Sequence, residues 1–222
     1  MIHAILFDLD GTLTDPKEGI TRCMQHALAQ LGLAVPPTEA LVPYIGPPLQ
    51  ETFAQLLATD DRTRVDAAIA HYRDRFAAAG MYENSVYPGT ADMLAALKAA
   101  GVRLFVATSK PYVFAVKILE HFDLAQYFDG VYGSELDGRL SDKGELIAEV
   151  LRAEGLDPAT TLMVGDRSHD IVGGRRAGVR TAAVVYGYGT RAELDAHAPE
   201  FIFPSPAALL AVVMEEQRNG SQ

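Results

Sequence analysis

The sequence predicts an α/β fold in which a mainly parallel sheet is covered by helices on both faces. An apolar run near the amino terminus, Ile5-Leu6-Phe7, ends at Asp8 and is typical of a buried strand. From residue 90 onward, helical and strand-like segments alternate, as in βαβ units with right-handed crossovers. Residues 16–82 carry helical patterns. We therefore expect a three-layer core of residues 1–15 and 83–222, with an inserted all-helical domain of residues 16–82.

The segment after the first strand is predicted to be helical because its apolar residues recur at spacings of three and four. Gly32 ends the first of these helices, and Tyr87-Pro88-Gly89 marks the return to the core. The apolar positions are Ile20, Cys23, Met24, Ala27, Leu28 and Leu31, then Leu49, Phe53, Leu56 and Leu57, and finally Val65, Ala68, Ile69, Tyr72 and Phe76.

The rest of the chain supplies the remaining elements of the predicted sheet. Strands are expected at Val102–Ala107, Gly130–Tyr132, Thr161–Val164, Thr181–Val185 and Phe201–Phe203. Helices are expected at residues 90–100, 111–121, 143–154, 169–177, 191–196 and 205–217.

Composition narrows the classes of function. The 222 residues carry a net charge of −10 and no basic cluster, so extended nucleic acid is not an expected partner, although a small anion could bind a few local cations. No apolar run approaches the roughly 20 residues that span a bilayer. The first residues do not resemble a signal peptide, and Cys23 has no second cysteine to pair with. A cytoplasmic protein is expected, as a monomer or homodimer.

Asp8 and Asp10 emerge where the first strand ends and the chain enters a loop. Two carboxylates this close repel each other unless a cation lies beside them, and a hard cation with oxygen ligands, such as Mg²⁺, suits the pair. A calcium loop of the EF-hand type does not fit, because glycine is in the fourth position rather than the sixth and a strand precedes the loop. A solvated acidic turn is the remaining alternative.

Two further strands also end in polar groups. The second core strand ends at Thr108-Ser109-Lys110-Pro111, and a later one ends at Gly165-Asp166, with Asp170 at the opening of the next helix. Because the carboxyl ends of parallel strands lie at one edge of a sheet, we expect these groups to share a site with Asp8. Four acids need compensating charge, for which Lys110 and Lys143 are candidates. A role in surface solubility is the alternative for both lysines.

This set of motifs resembles the haloacid dehalogenase superfamily, in the phosphatase branch whose helical cap is inserted just after the first motif. Asp8-Leu9-Asp10-Gly11-Thr12 is similar to its first motif, and Thr108 to its hydroxyl motif. Lys143 matches its lysine, and Gly165-Asp166 with Asp170 its acidic motif. The resemblance covers essentially the whole chain and implies a Rossmann-like core.

Within that branch, the chain looks most like phosphoglycolate phosphatases and bacterial 5′-nucleotidases. Three stretches look particularly like the nucleotidase group: Tyr44–Pro48, Thr108–Pro111, and Tyr132–Glu135 with the segment leading to Lys143. The implied substrate is a small phosphorylated metabolite, but the choice between a nucleotide and phosphoglycolate depends on resemblance alone.

The resemblance also implies roles for these residues. Asp8 would be the nucleophile that forms an aspartyl-phosphate, and Asp10 the general acid and then base. Mg²⁺ would be bound by Asp8, Asp166 and the main-chain carbonyl of Asp10. Thr108 and Lys143 would hold phosphate oxygens. Supporting roles fall to Asp170, Lys110, Gly11, Thr12 and Ser109, with Asp170 orienting Lys143 or a metal-bound water.

The predicted cap would close over the site and determine specificity. Its candidate substrate contacts are Tyr44, Gly46, Gln50 and Arg22, although Gly46-Pro47-Pro48 also reads as an ordinary turn between helices.

Several other functions remain open at this point. Asp10 argues against a dehalogenase, which lacks the second aspartate, and phosphonate hydrolysis would require a cap lysine, for which Lys17 is the candidate. A sugar phosphomutase uses the same aspartate pair. A non-catalytic binding domain on the same fold is the alternative that is not an enzyme.

Overall fold

The structure is a computed structural model that describes residues 1–220; residues 221 and 222 of the predicted core lie outside the described part. The chain forms two compact units, one of Met1–Thr14 with Val86–Gln222 and the other of Asp15–Ser85. The strands are β1 Ala4–Phe7, β2 Thr14–Asp15, β3 Ser85–Val86, β4 Arg103–Pro111, β5 Gly130–Ser134, β6 Thr161–Gly165, β7 Arg180–Val184 and β8 Phe201–Phe203.

The α-helices of the Asp15–Ser85 unit are α1 Lys17–Gln30, α2 Thr38–Leu41, α3 Leu49–Leu56 and α4 Arg62–Arg75. Those of the larger unit are α5 Thr90–Ala99, α6 Tyr112–His121, α7 Lys143–Glu154, α8 Ser168–Arg176, α9 Arg191–Ala196 and α10 Pro206–Gly220. Short 3₁₀ turns occupy Val42–Tyr44, Ala125–Tyr127 and Pro158–Thr160, and a π-helical turn occupies Phe76–Gly80. None of the helices in residues 1–220 is both long and apolar enough to cross a membrane.

The larger unit is built on a six-stranded sheet with the order β5-β4-β1-β6-β7-β8. Every neighbouring pair in it is parallel, so the predicted α/β fold with a mainly parallel sheet is confirmed. All four residues of β1 are buried, because this strand lies between β4 and β6. A central strand of this kind positions whatever follows it at the middle of the carboxyl edge of the sheet.

One strand runs further than predicted. β4 was expected to end at Ala107 but continues to Pro111, because Thr108 still pairs with Gly133 of β5 and Pro111 pairs with Ser134. The register shifts between Thr108 and Pro111. The polar residues at the end of β4 are therefore partly paired with β5 instead of lying in a free loop.

The helices of the Asp15–Ser85 unit are joined by loops, and its strand residues lie at its two ends. The apolar faces of α1 and α4 are buried, and the rings of Phe53, Tyr72 and Phe76 pack in sequence, with centroids 6.0 Å and 5.6 Å apart. Gly19 and Gly80 allow α1 and the π-helical turn to approach closely, since a Cβ atom on Gly19 would overlap the Gly80 carbonyl.

An ion pair also stabilises this unit. The Arg75 guanidinium donates to both carboxylate oxygens of Glu83 at 2.7 and 3.0 Å, and Arg22 donates to the same carboxylate at 2.9 Å. The hydrogen bond from Arg75 is the main cause that holds the pKa of Glu83 below its usual value, and burial acts against it.

We therefore expect Glu83→Gln to lower the free energy of unfolding by about 1 kcal/mol at pH 7. Because the pKa of Glu83 is lowered on folding, its contribution is present above the ordinary glutamate pKa of 4.5 and is lost as the pH falls through the folded value. Urea unfolding at pH 7 and pH 4 tests this, with exposed Glu39→Gln as the control. A difference from wild type that stays constant across this range would contradict it.

Candidate active site

Asp8 is placed by the last pairing of the central strand. Its backbone N–H donates to the Val164 carbonyl at 2.9 Å, after which the chain turns sharply, with the N–H groups of Leu13 and Thr14 returning to the Leu9 carbonyl. Gly11 has φ +83°, and a Cβ atom at this position would overlap the Asp166 carboxylate. The turn therefore requires glycine for its conformation and for its close approach to Asp166.

Three buried carboxylates form a cluster at this edge of the sheet. One oxygen from each of Asp8, Asp166 and Asp170 lies within 4.8 Å of the others. Burial is the main cause that raises the pKa of Asp166, and the charges of Asp170 and Asp8 raise it further. Burial also raises the pKa of Asp170, although Lys143 opposes the rise. The cluster is therefore electrostatically costly without a cation.

Asp166 carries an oxygen that is unsatisfied. Its Oδ2 accepts a hydrogen bond from the backbone N–H of Tyr188 at 2.7 Å. Its Oδ1 is buried and has no hydrogen-bond partner among residues 1–220. Because a buried acceptor without a partner is costly, this oxygen together with the adjacent carboxylates suits a hard divalent cation. The acidic cluster could therefore bind a metal ion.

Lys143 supplies the compensating positive charge. Its Nζ lies 2.8 Å from Asp8 Oδ1 and 2.8 Å from Asp170 Oδ1, and it donates to the Ala107 carbonyl at 3.0 Å. Burial favours the neutral amine, but Asp170 and Asp8 outweigh it and raise the pKa of Lys143 above its usual value. Lys143 begins α7, where Asp142 caps the helix by accepting from the Glu145 N–H at 2.9 Å. The lysine is thus charged and fixed beside Asp8.

Lys110 forms a second buried ion pair, with Asp10. Lys110 Nζ lies 2.7 Å from Asp10 Oδ2, and the two side chains are 7% and 12% exposed. Burial raises the pKa of Asp10, and Lys110 acts against this rise. Asp10 Oδ1 is buried without a hydrogen-bond partner in the described chain. The two aspartates therefore have different lysine partners: Asp8 is paired with Lys143 and Asp10 with Lys110.

The hydroxyl residues have different environments. Thr108 is buried, and its Oγ1 accepts the Lys110 N–H at 3.2 Å. Ser109 Oγ donates to the Ser141 carbonyl at 3.0 Å, which links the end of β4 to the segment just before Lys143. Thr12 Oγ1 is buried and has no hydrogen-bond partner within residues 1–220.

The residues expected to contact substrate from the helical segment all lie in the Asp15–Ser85 unit. Tyr44 is partly buried, Gly46 has φ +111°, and Gln50 is exposed. Arg22 is engaged by Glu83 and lies 3.4 Å from Glu18. Their role in binding stays a prediction.

Sequence reasoning missed the segment that follows β7, Tyr186-Gly187-Tyr188-Gly189-Thr190. It supplies the N–H group that binds Asp166. The sequence signal that could have indicated this segment is that the predicted strand Thr181–Val185 also ends at this edge of the sheet, in a run of alternating tyrosine and glycine.

Glu193 also contributes near Asp166. It accepts hydrogen bonds from the Ser168 N–H at 2.9 Å and from Arg167 at 3.1 Å.

Known proteins resemble this chain over nearly its whole length. A 5′-nucleotidase from Pseudomonas aeruginosa is 49% identical over 209 residues, which cover 94% of this chain and 94% of that protein. The tyrosine-protein kinase PtkA of Mycobacterium tuberculosis is 40% identical over 191 residues, 86% of this chain and 65% of that protein.

Among solved structures, a protein described as a predicted phosphatase from Clostridium acetobutylicum matches with a TM-score of 0.93 at 40% identity, over 97% of this chain and 99% of that chain. Residues 5–184 match the family model described as haloacid dehalogenase-like hydrolase. The chain therefore belongs to the haloacid dehalogenase-like hydrolase family, in its phosphatase group.

Proposed function

We propose that this protein hydrolyses phosphate monoesters in a Mg²⁺-dependent reaction that passes through a phosphoryl group on Asp8. The observation that carries the proposal is the placement of the Asp8 carboxylate, 2.8 Å from the Lys143 ammonium and within the cluster that contains the unsatisfied Asp166 oxygen. Because a phosphoryl group is anionic, its nucleophile needs positive charge nearby, which the Lys143 ammonium supplies and a cation bound in the acidic cluster would increase.

In the first step, a carboxylate oxygen of Asp8 forms a bond to phosphorus as the bond to the ester oxygen breaks. Asp10 gives a proton to the leaving oxygen; burial raises the pKa of this carboxyl towards the protonated form, and Lys110 acts against that rise. Lys143 and the Thr108 hydroxyl bind the phosphoryl oxygens as negative charge develops on them.

In the second step, water attacks the phosphorus of the aspartyl-phosphate, Asp10 takes the proton from that water, and the bond to Asp8 breaks to release phosphate. Asp10 can serve both steps because donating a proton converts it to a base. Asp170 acts through Lys143 by holding its ammonium. Magnesium bound by Asp8, Asp166 and the main-chain carbonyl of Asp10 would neutralise charge on the phosphoryl oxygens.

The substrate is proposed to be a small phosphorylated metabolite, with a nucleoside 5′-monophosphate as the first candidate and phosphoglycolate as the second. The 5′-nucleotidase relative supports the first candidate. Substrate choice is assigned to the helical segment 16–82, with Tyr44, Gly46 and Gln50 as candidate contacts. Arg22 is a weaker candidate because its guanidinium is paired with Glu83.

The test is phosphate release from a panel of nucleoside 5′-monophosphates, phosphoglycolate, sugar phosphates and pyrophosphate, each with Mg²⁺ or with EDTA. We expect release with Mg²⁺ and none with EDTA, and the substrate with the highest kcat/KM identifies the class. Isomerisation of a sugar phosphate that depends on a bisphosphate activator, with little phosphate released, would instead show a phosphomutase. No turnover of any member would refute the hydrolase proposal.

A further inference from the structure

The carboxylate of Asp166 is confined by the backbone on two sides. A Cβ atom on Gly11 would overlap its oxygens, and a Cβ atom on Gly187 would overlap Asp166 Cβ, lie 2.5 Å from Asp166 Oδ2 and overlap the Gly11 carbonyl. A Cβ atom on Gly189 would overlap the Asp166 carbonyl. Asp166 is therefore held between the turn after β1 and the segment after β7, at positions where only glycine leaves enough room.

The segment after β7 also determines which carboxylate oxygen of Asp166 is available to a cation. The Tyr188 N–H satisfies Oδ2, whereas Oδ1 is left without a hydrogen-bond partner in the described part of the chain. A carboxylate that already accepts one hydrogen bond cannot rotate freely without losing it. One oxygen is thus committed to the protein, and the other stays available to a cation.

Tyr186 fixes this segment in place. Its hydroxyl donates to the Thr12 carbonyl at 3.1 Å, and burial raises the pKa of the phenol, so the hydroxyl stays protonated. The Tyr186 ring packs edge-on against Tyr87 with centroids 4.9 Å apart. The Tyr87 N–H in turn donates to the Leu13 carbonyl at 3.1 Å. The segment after β7 is therefore attached to the same turn that carries Asp8 and Asp10.

We propose that Tyr186 and Gly187 are positioning residues for the acidic site, which set the affinity for the divalent cation by holding Asp166 through the Tyr188 N–H. The proposal rests on the proposed function, because it takes Asp8, Asp166 and the main-chain carbonyl of Asp10 as the ligands of the cation. Tyr186 acts indirectly, since its hydroxyl donates to the Thr12 carbonyl and not to any of the three carboxylates of the cluster.

The test is direct binding of Mn²⁺, used as a probe for Mg²⁺, to the purified 222-residue protein by titration calorimetry. We expect Tyr186→Phe to weaken Mn²⁺ binding about tenfold and Gly187→Ala to weaken it by on the order of 100-fold, because groups that orient a metal ligand typically change affinity by this much. Half-saturation for Mg²⁺ in phosphatase assays should rise for Tyr186→Phe, while kcat at saturating Mg²⁺ stays close to wild type.

Tyr132→Phe is the matched control. It also removes a partly buried tyrosine hydroxyl, one that donates to Glu154 at 2.7 Å at the end of α7. A general loss of stability would affect both tyrosine variants alike, whereas a positioning role predicts that Tyr132→Phe binds Mn²⁺ as wild type does. If Gly187→Ala does not fold, the tyrosine pair still decides the question.

Two results would overturn the inference, and they differ from each other. If wild type binds Mn²⁺, Asp166→Asn does not, and Tyr186→Phe binds as wild type does, then Tyr186 has no positioning role and the proposed function stands. If wild type binds no Mn²⁺, the cation part of the proposed function fails and the inference fails with it.

Discussion

Asp8→Asn is expected to abolish phosphate release, with a fall in kcat on the order of 10⁴-fold or more, because an amide oxygen is too weak a nucleophile to form the aspartyl-phosphate. The variant should still fold, since an asparagine oxygen in the same place can accept the hydrogen bond that Lys143 donates at 2.8 Å. Steady-state assays with the best substrate of the panel give the rate, and circular dichroism checks the fold.

A trapping experiment sharpens this expectation. Wild type that is mixed with a ³²P-labelled substrate and quenched in acid should carry label that hydroxylamine removes, as expected for an acyl phosphate. Asp8→Asn should carry none, and exposed Asp137→Asn should behave as wild type. Retention of label or activity in Asp8→Asn would show that a residue other than Asp8 is the nucleophile.

Lys143→Met is expected to have the second-largest effect, on both activity and stability. Loss of a cation that stabilises charge on the phosphoryl oxygens should lower kcat/KM about 10³-fold. Asp8 and Asp170 would lose the ammonium that lies 2.8 Å from each. Leaving such buried charges unpaired typically costs about 3–5 kcal/mol of unfolding free energy.

The stability loss should depend on pH in a definite direction. Without Lys143, its ammonium no longer opposes the burial that raises the pKa of the Asp170 carboxyl above its unfolded value. A carboxyl whose folded-state pKa is raised in this way favours the folded state at low pH. This contribution to stability is lost as the pH rises through the folded-state pKa. The gap between wild type and Lys143→Met should therefore narrow from pH 7 to pH 5 in urea unfolding.

Lys98→Met is the control for this experiment. It removes an exposed lysine whose Nζ donates to the Gln126 carbonyl, so neither stability nor its pH dependence should change much. An unfolding free energy for Lys143→Met equal to that of wild type at pH 7 would show that the buried ion pairs do not contribute as described.

The architecture was predictable because it follows from periodicity and from strand ends. Alternation of apolar strands and amphipathic helices is a local pattern, and it placed β6, α7 and β8 within a residue of their observed bounds. The convergence of Asp8 and Asp166 follows from topology, since parallel strands bring their carboxyl ends to the same edge. No side-chain geometry was needed for that step.

The pairing within the site was not predictable in the same way. Which lysine binds which aspartate depends on the shift in register after Thr108 and on the entry of α7, and neither leaves a periodic signal. The segment after β7 was missed because its contribution to Asp166 is a backbone N–H group and the absence of side chains at Gly187 and Gly189. Reading side-chain chemistry from sequence does not detect a role carried by the main chain.

The pairing of β2 with β3 has a consequence for how such proteins can diversify. These strands begin and end the helical segment, and paired strands lie about 5 Å apart. The two ends of the segment are therefore neighbours, so closing the gap after its removal needs only a short linker with a small entropic cost. Segments of other length could be exchanged at this junction by recombination while the buried carboxylates at the edge of the sheet stay in their places.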